Sequence, residues 1–500
     1  MTDHTAARLG DELWTQPLWR PDDLGRAIPE SPNATSVCLP LWDHVVGYER
    51  GDPGVVDKLT CGYPRFVFHQ AVRDLFAHHQ GEPDTGILVV PSTSVAERLI
   101  AYINRHTGLA AHSAAVNGLV AVRFPAEAAA AAKDFWQHCG EIVSSRRARA
   151  ALSNSPDNPS AGLQAEDELQ QRLAQIYGVP ADWVFLFTNG MAAMAAAKRI
   201  VDAVGQSRPT VQLGFPYVDV LKVQQQFGGG ARFLPGVGDD TIDQLEALVA
   251  TQAISGCVVE TPGNPLLTCP DLARLSAILR PINAALVVDD TVGSPANIDV
   301  LPMADVIVGS LTKYVAGTGD VMGGSLVINP GSPLAKALRA TLRGEHESLL
   351  WWEDAVVLAE HSRDYVQRIR QINANADCVA AWLNQHPAVR SVWHPSLATD
   401  GHYAAIRRPH GGNGGLLSFI PHEPETWSPV IYDHLRVSKG PSLGMNYTLA
   451  CPYTLLAHFH ELDWAESHGV SRWLIRVSVG LEDPNDLIDR FAAALDVRAE

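Results

Sequence analysis

Four short apolar runs in the middle of the chain limit the folds that it can adopt. They read GCVVETP, AALVVDDT, ADVIVGS and GSLVINP, and each is bounded by Gly, Pro or Asp. Continuous runs of this length are typical of strands that are buried on both faces of a sheet. A helical pattern, DLARLSAIL, separates the first two runs, and strands that alternate with helices usually form a parallel sheet. The sequence therefore predicts an α/β domain with a mostly parallel sheet.

Length and composition predict several parts in addition to this domain. The chain has 500 residues, which is more than one hydrophobic core usually supports. We predict a polar, poorly ordered leader over residues 1–35, an N-terminal extension over 36–150 and the large α/β domain over 151–344. Residues 345–500 open with a long helical pattern and contain the strand pattern WLIRVSVG. This last part is predicted to be a C-terminal α+β domain.

Charge and cysteine usage exclude several classes of protein. The formal net charge is −17, and nucleic-acid binding needs a basic face, so we expect no nucleic-acid partner. No apolar run approaches the roughly 20 residues of a membrane-spanning helix, so we expect no membrane partner. The seven cysteines are scattered, which indicates reduced thiols and a cytoplasmic location. Close zinc-ligand spacings are missing, so we expect no metal; the nineteen histidines, His458 and His460 among them, fit surface or core positions better.

Polar residues follow several of the predicted strands, at the sheet edge where open α/β proteins bind ligands. One group ends in Gly190 and Met191, which begin an alanine-rich helix. Backbone amides at a helix N-terminus bind anions. A second group is a stiff turn, TPGNP, that presents Asn264. Taken alone, the first group fits an ordinary turn at the end of a strand equally well.

The third and fourth groups add a carboxylate and a lysine. Asp289 ends the ALVV run, and Lys313 follows Ser310 and Thr312 after the DVIVG run. In an extended segment these two hydroxyl residues lie on the same side, which suits a phosphate. Helix N-terminal amides, two hydroxyls, a carboxylate and a lysine are together the groups needed to hold pyridoxal phosphate (PLP), with the lysine as Schiff base and the carboxylate on the pyridinium nitrogen.

Longer stretches resemble the Cys/Met-metabolism family of PLP-dependent trans-sulfuration enzymes. They read VVETPGNPLLTCPDL, VVDDTVGSP, ADVIVGSLTKYVAGTGDVMGG and LIRVSVGLEDPNDLI. Two further stretches, SVCLPLWDHVVGYERGDPGVVDKLTCGYPRF and GPSLGMNYTLACPYTLLAHFHELDWA, are similar to the N-terminally extended cystathionine γ-synthases best known from fungi. The resemblance implies PLP fold-type I and small amino-acid substrates. It also implies a homodimer or homotetramer whose active sites share residues across an interface.

The resemblance also implies a role for each matching residue around the cofactor. Lys313 would be the Schiff-base lysine, and Asp289 would keep the ring nitrogen protonated. Tyr217 would stack on the ring and act as a second proton carrier, and Asn264 would contact the ring hydroxyl. The remaining cofactor contacts that we expect are Gly190, Met191, Thr291, Ser310 and Thr312.

For the substrate, the resemblance implies that Arg476 binds the α-carboxylate, with Ser442 beside it. A bidentate contact of this kind suits arginine better than lysine. The family's Tyr-x-Arg motif, which reaches the phosphate of the neighbouring subunit, has no clear counterpart at its usual place. We predict that Arg146 takes this role, with Tyr63 and Arg65 of GYPRF as the alternative.

The implied reaction is γ-replacement, in which cysteine displaces the acyl group of an O-acylated homoserine to give cystathionine. Asp290 and Val220 stand where the family usually has an asparagine and a hydroxyl residue, so γ-elimination, sulfide addition and a carbon nucleophile stay open. A nicotinamide dehydrogenase would need a GxGxxG motif after a strand, and the chain has none. A PLP-binding relative without turnover is a third alternative, against which the intact Lys313, Asp289 and Arg476 argue.

Overall fold

The structure, a computed structural model, describes residues 8–81 and 85–497. In its N-terminal part, an antiparallel sheet in the order β3-β5-β4 packs against helices, and its core is continuous with that of the large domain. The elements of this part are β1 (Ala27–Ile28), β2 (Ser36–Val37), α1 (Trp42–Arg50), α2 (Pro53–Val56), α3 (Gln70–His79), β3 (Thr85–Val90), α4 (Thr93–Thr107), β4 (His112–Val116), β5 (Leu119–Pro125), α5 (Ala129–Cys139) and α6 (Ser145–Ser153).

Residues 8–35 correct the prediction of a poorly ordered leader. Leu13, Leu18 and Ile28 are buried in one apolar cluster with Tyr447 and Leu449 of the C-terminal part. β1 also pairs with β2. The apolar residues of this segment are too few to form a core of their own, but they are buried against a surface more than 400 positions away in the sequence. Residues 1–7 of the predicted leader lie outside the described residues.

The large domain confirms the predicted mostly parallel sheet. Its seven strands lie in the order β6-β12-β11-β10-β9-β7-β8, and β12 alone runs antiparallel to its neighbours. The chain turns back into β12 because residues 311–323 contain no helical crossover. The elements are α7 (Pro159–Tyr177), β6 (Val184–Phe187), α8 (Gly190–Val204), β7 (Thr210–Leu213), α9 (Val218–Gln226), β8 (Ala231–Leu234), α10 (Asp239–Val249), β9 (Gly256–Glu260), α11 (Leu272–Leu279), β10 (Ala285–Asp289), β11 (Val306–Ser310), β12 (Gly324–Ile328) and α12 (Ala335–Glu345).

The C-terminal part has the α+β character that the sequence predicts. Its sheet has the order β13-β14-β17-β16-β15. The predicted long helical region is two helices, separated at residues 362–364. The elements are α13 (Trp352–His361), α14 (Tyr365–Gln385), β13 (Val389–Trp393), α15 (His402–Ile406), β14 (Leu416–Pro421), α16 (Pro424–His434), β15 (Ser438–Lys439), β16 (Leu449–Pro452), α17 (Tyr453–His458), α18 (Leu462–Ser467), β17 (Ile475–Ser478) and α19 (Pro484–Asp496).

The predicted domain boundaries stay predictions, because one hydrophobic core runs through residues of both the N-terminal part and the large domain. Within the described parts of the chain, no helix is long and apolar enough to cross a membrane.

Candidate active site

A cavity of about 640 Å³ lies at the carboxyl edge of the parallel strands. Its walls come from all three parts of the chain: the segment before α3, the ends of β9, β10 and β11, and the C-terminal residues around β16 and β17. This is the edge where open α/β sheets bind ligands, and the volume is typical of a small-molecule site.

Lys313 projects into this cavity. Its Nζ donates a hydrogen bond to Ser442 Oγ at 2.9 Å and lies 4.7 Å from the centroid of the Tyr63 ring. Burial lowers the pKa of Lys313 to about 7, and the positive charges of Arg476 and Arg65 act in the same direction. The lysine is therefore a desolvated amine that is substantially neutral near neutral pH, as a nucleophilic or basic lysine must be.

Two carboxyl groups lie side by side at this edge of the sheet. Asp289 ends β10, Glu260 ends β9, and the two residues are paired in the register of these strands. One oxygen of Asp289 accepts the Thr291 N–H at 3.0 Å. Burial raises the pKa of Asp289, and it raises the pKa of Glu260 well above its usual value. Both groups are therefore able to hold a proton.

Another part of the cavity lining suits an anion. Gly190 and Met191 begin α8, and Asn189 caps this helix by accepting the Ala192 N–H at 3.1 Å. A Cβ atom at Gly190 would lie 2.7 Å from Ser310 Cβ, so only glycine allows the helix to approach β11 this closely. Gly190, Met191 and Ser310 all line the cavity. The N-terminus of α8 therefore faces the space that an anionic ligand would occupy.

Thr291 and Thr312 differ in their positions. Thr291 lines the cavity, and its Oγ1 accepts the Ser310 N–H at 2.8 Å. Thr312 lies outside the lining, and its Oγ1 accepts the Gly323 N–H at 3.1 Å. The alternation that we expected does not extend to Thr312, because β11 ends at Ser310 and the chain then turns. A contact of Thr312 with a phosphate stays a prediction.

Arg476, on β17, is held in the cavity by neutral groups. It donates to Asn264 Oδ1 at 3.2 Å and to the Ser442 carbonyl at 2.7 Å. Its guanidinium carbon lies 4.8 Å from the centroid of the Tyr453 ring. These contacts fix the side chain and leave its charge available for a carboxylate.

The arginine that the N-terminal segment brings to the cavity is Arg65. It donates to Tyr217 Oη at 2.6 Å and forms an ion pair with Asp219. Its Nε is buried without a hydrogen-bond partner. Tyr63, Arg65 and Tyr217 all line the cavity.

Arg146, which we predicted for this position, has a different environment. It does not line the cavity. Its guanidinium is buried between Asp320 and Asp354, with N–O distances of 3.0 Å to each. Two carboxylates already neutralise this charge, whereas Arg65 keeps a free donor, so Arg65 is the arginine at the cavity of its own chain. A contact of Arg146 with the phosphate of a neighbouring subunit stays a prediction.

Asp219 connects the N-terminal part to the cavity, and it was not predicted from the sequence. Besides Arg65, it binds His138 Nδ1 at 3.0 Å and Gln137 Nε2 at 3.0 Å, both on α5. Burial opposes ionisation, but Arg65 and His138 hold the pKa of Asp219 down at about 2. The only feature of the sequence that could have indicated Asp219 is its position two residues after Tyr217. Glu260 was also missed, although it ends a strand as Asp289 does.

The two departures from the usual family pattern lie outside the cavity lining. Neither Asp290 nor Val220 lines the cavity. Asp290 accepts a hydrogen bond from Tyr177 Oη at 2.8 Å, and burial raises its pKa to about 8. Val220 is buried in the core that the large domain shares with the N-terminal part.

These groups fit PLP. The start of α8 and Ser310 offer donors to a phosphate, Asp289 a carboxyl to a ring nitrogen, and Lys313 an amine to an aldehyde. A buried carboxyl oxygen of Glu260 and the Nε of Arg65 have no protein partner, so polar groups remain for a ligand to satisfy.

Comparison with known proteins is consistent with this fit. The family model described as Cys/Met metabolism PLP-dependent enzyme matches residues 161–496. A second model, described as the N-terminal domain of fungal trans-sulfuration enzymes, matches residues 69–144. Residues 60–68, which contain Tyr63 and Arg65, lie before both matches.

Relatives with different activities match over nearly their full length. A cystathionine γ-synthase of Neurospora crassa is 31% identical, and the alignment covers 96% of this chain and 99% of the relative. An L-2-amino-4-chloropent-4-enoate dechlorinase/desaturase of Streptantibioticus cattleyicolor is 34% identical, with 94% and 98% covered. Among solved structures, a cystathionine γ-synthase of Xanthomonas oryzae in complex with cystathionine aligns with a TM-score of 0.59 and 26% identity, over 68% of this chain and 88% of that one.

Proposed function

We propose that this chain, which belongs to the Cys/Met metabolism family of PLP-dependent enzymes, catalyses γ-replacement on an O-acylated homoserine. L-Cysteine would be the nucleophile and cystathionine the product. One observation carries the proposal: Lys313, Asp289 and Arg476 line a single cavity that is large enough for the cofactor and a substrate. The match to cystathionine γ-synthases over nearly the whole chain supports it.

The overall reaction balances without an external oxidant or reductant. The acyloxy group leaves Cγ with the electron pair of the C–O bond and departs as a carboxylate. The cysteine sulfur forms the new bond to Cγ and loses its proton. When bound, PLP supplies an electron sink for the negative charge that develops on the substrate carbons.

The protein's own residues bind the substrate and move its protons. Arg476 would bind the α-carboxylate, and Asn264 and the Ser442 carbonyl hold its guanidinium in place for this task. Lys313 Nζ would take protons from Cα and Cβ and return them, which its lowered pKa near 7 permits. Asp289 would hold a proton at the ring nitrogen of the cofactor.

The remaining residues would fix the cofactor. Gly190 and Met191 N–H and Ser310 would hold its phosphate, and Thr291 would support Ser310 through the hydrogen bond to its amide. Tyr217 would stack on the ring, and its contact with Arg65 holds the phenol in place. We further propose a homo-oligomer, in keeping with the family resemblance.

The experiment that tests the proposal is product analysis of the PLP-loaded protein with L-cysteine and either O-succinyl- or O-acetyl-L-homoserine. Cystathionine is expected with one ester or both, and Arg476→Met should raise the KM for the ester at least tenfold. Arg472→Met, at an exposed ion pair, is the matched control. Formation of 2-oxobutyrate alone would favour γ-elimination instead.

A further inference from the structure

Two buried polar atoms near Arg476 have no partner and no place in the function proposed above. They are Tyr453 Oη and His458 Nε2. The two residues are 3% and 2% exposed, both line the cavity, and their ring centroids are 6.1 Å apart. Buried polar atoms are nearly always hydrogen-bonded in folded proteins, so a pair of unsatisfied atoms on one wall indicates a ligand that satisfies them.

The hydrogen-bonding character of each atom follows from its surroundings. His458 Nδ1 lies 2.9 Å from a carboxylate oxygen of Glu461, so this nitrogen donates a hydrogen bond, and in the neutral ring Nε2 presents a lone pair. His458 therefore offers an acceptor. The phenol of Tyr453 has a proton to donate, because burial raises its pKa far above neutrality. One wall of the cavity thus presents an unsatisfied acceptor next to an unsatisfied donor.

Lys222 adds a positive charge to the same wall. It lies on α9 and lines the cavity, and its Nζ is 3.7 Å from Glu461. Its side chain is 37% exposed, which indicates the mouth of the cavity rather than its floor. A donor, an acceptor and a cation at this position match the two charged groups of a zwitterionic α-amino acid. The carboxylate would accept from Tyr453 and Lys222, and the ammonium would donate to His458.

We infer that Tyr453, His458 and Lys222 form the binding site for the backbone of the incoming nucleophile, an α-amino acid with a thiol side chain. The inference rests on the proposed function and deepens it, because Arg476 is already assigned to the first substrate. A free sulfide has neither charged group and would gain nothing from this site. The protein should therefore select a whole amino acid as the nucleophile.

The test compares four nucleophiles with one homoserine ester: L-cysteine, cysteamine, 3-mercaptopropionate and sulfide. Cysteamine lacks the carboxylate, 3-mercaptopropionate lacks the ammonium, and sulfide lacks both. Tyr453→Phe should lower kcat/KM for cysteine and 3-mercaptopropionate at least about tenfold, because a hydrogen bond to a charged group is lost. It should leave cysteamine and sulfide within twofold. The variant should fold normally, since the hydroxyl has no protein partner to lose.

His458→Gln should give the complementary pattern, with losses confined to cysteine and cysteamine. Lys222→Met should act like Tyr453→Phe, and Lys336→Met, an exposed lysine on α12, controls for the change in net charge. Tyr432→Phe controls for the loss of a phenol, because Tyr432 donates to the Leu39 carbonyl outside the cavity. Neither control should change the order of the four nucleophiles.

Calorimetric titration of the protein without PLP with S-methyl-L-cysteine, which has no free thiol, gives a readout independent of turnover. Binding should weaken at least about tenfold in Tyr453→Phe. If Tyr453→Phe lowers the rates with cysteine and sulfide equally, or changes neither, the inference is wrong while the proposed function stands. If the wild type forms no replacement product with any of the four nucleophiles, the proposed function fails and the inference fails with it.

Discussion

The guanidinium of Arg65 donates a hydrogen bond to the phenolic oxygen of Tyr217 across 2.6 Å. This contact joins a segment that precedes both family matches to the tyrosine proposed to stack on the cofactor ring. Asp219 binds the same guanidinium, and α5 holds Asp219 through His138. The N-terminal part of the chain is thus built into the wall of the cavity.

Arg65 and Arg146 should respond differently to the same substitution. Arg65→Met should lower PLP affinity at least about tenfold, because a buried cation near the anionic cofactor is lost. It should also lower the free energy of unfolding, because Asp219 loses its buried partner, so the two variants are distinguished by PLP affinity. Arg146→Met should lower the free energy of unfolding by about 3–5 kcal/mol, because Asp320 and Asp354 are left without their partner. Fluorescence titration with PLP below the unfolding temperature and urea unfolding measure the two effects. Loss of PLP affinity in Arg146→Met without loss of stability would support the predicted contact of Arg146 with the phosphate of a neighbouring subunit.

The second prediction concerns which chain supplies Arg65. Tyr63 and Arg65 line the cavity of their own chain. A mixture of Lys313→Ala and Arg65→Met chains, refolded together, should therefore show no more activity than the separate variants. If the segment instead docked on a neighbouring subunit, mixed assemblies would contain some sites with both native residues. Recovery of activity well above either parent would contradict the single-chain site.

The third prediction is the pH dependence of PLP uptake by the protein without cofactor. Lys313 attacks the aldehyde only as the neutral amine, and burial lowers its pKa to about 7. The rate of uptake should rise with pH through a midpoint near 7 and then level off. An ordinary lysine, with a pKa near 10.4, would show a rate that still rises at pH 9. Stopped-flow absorbance across this range measures the rate, with Lys313→Ala as the blank.

The fourth prediction uses Asp290, whose pKa burial raises to about 8. Between the unfolded pKa near 3.9 and this value, the folded state binds more protons than the unfolded state, so stability falls as pH rises. This group changes the free energy of unfolding by at most about 1.4 kcal/mol per pH unit. Asp290→Asn keeps the shape and does not titrate, so it should remove this pH dependence. Urea unfolding of the wild type and of Asp290→Asn at pH 5.5 and 8 tests this prediction. The same change in the free energy of unfolding between the two pH values in both proteins would refute it.

The sequence predicted the parts of the fold and site that depend on local pattern. Lys313, Asp289 and Gly190 follow strands of one sheet, so their meeting at its carboxyl edge could be inferred from strand order alone. Arg65 could not be assigned in this way. Its place depends on how the chain before α3 packs on the large domain, and no periodic pattern encodes that packing.

One other error has a related cause. Leu13 and Ile28 were predicted to belong to a poorly ordered leader because their neighbours are polar, but the surface that buries them is far away in the sequence. His458 is buried, within the surface or core positions that we expected for the histidines, and it also lines the cavity. Composition indicates how often a residue type is buried, and only the fold shows what that residue faces. The cytoplasmic location and the oligomeric state stay predictions.

The function proposed for this chain is decided by mass spectrometry of the product that the PLP-loaded protein forms from isotopically labelled L-cysteine and an unlabelled homoserine ester. We expect cystathionine that carries the cysteine label in one half only, and none with Lys313→Ala. Unlabelled 2-oxobutyrate as the only product, at the same rate with and without cysteine, would contradict it.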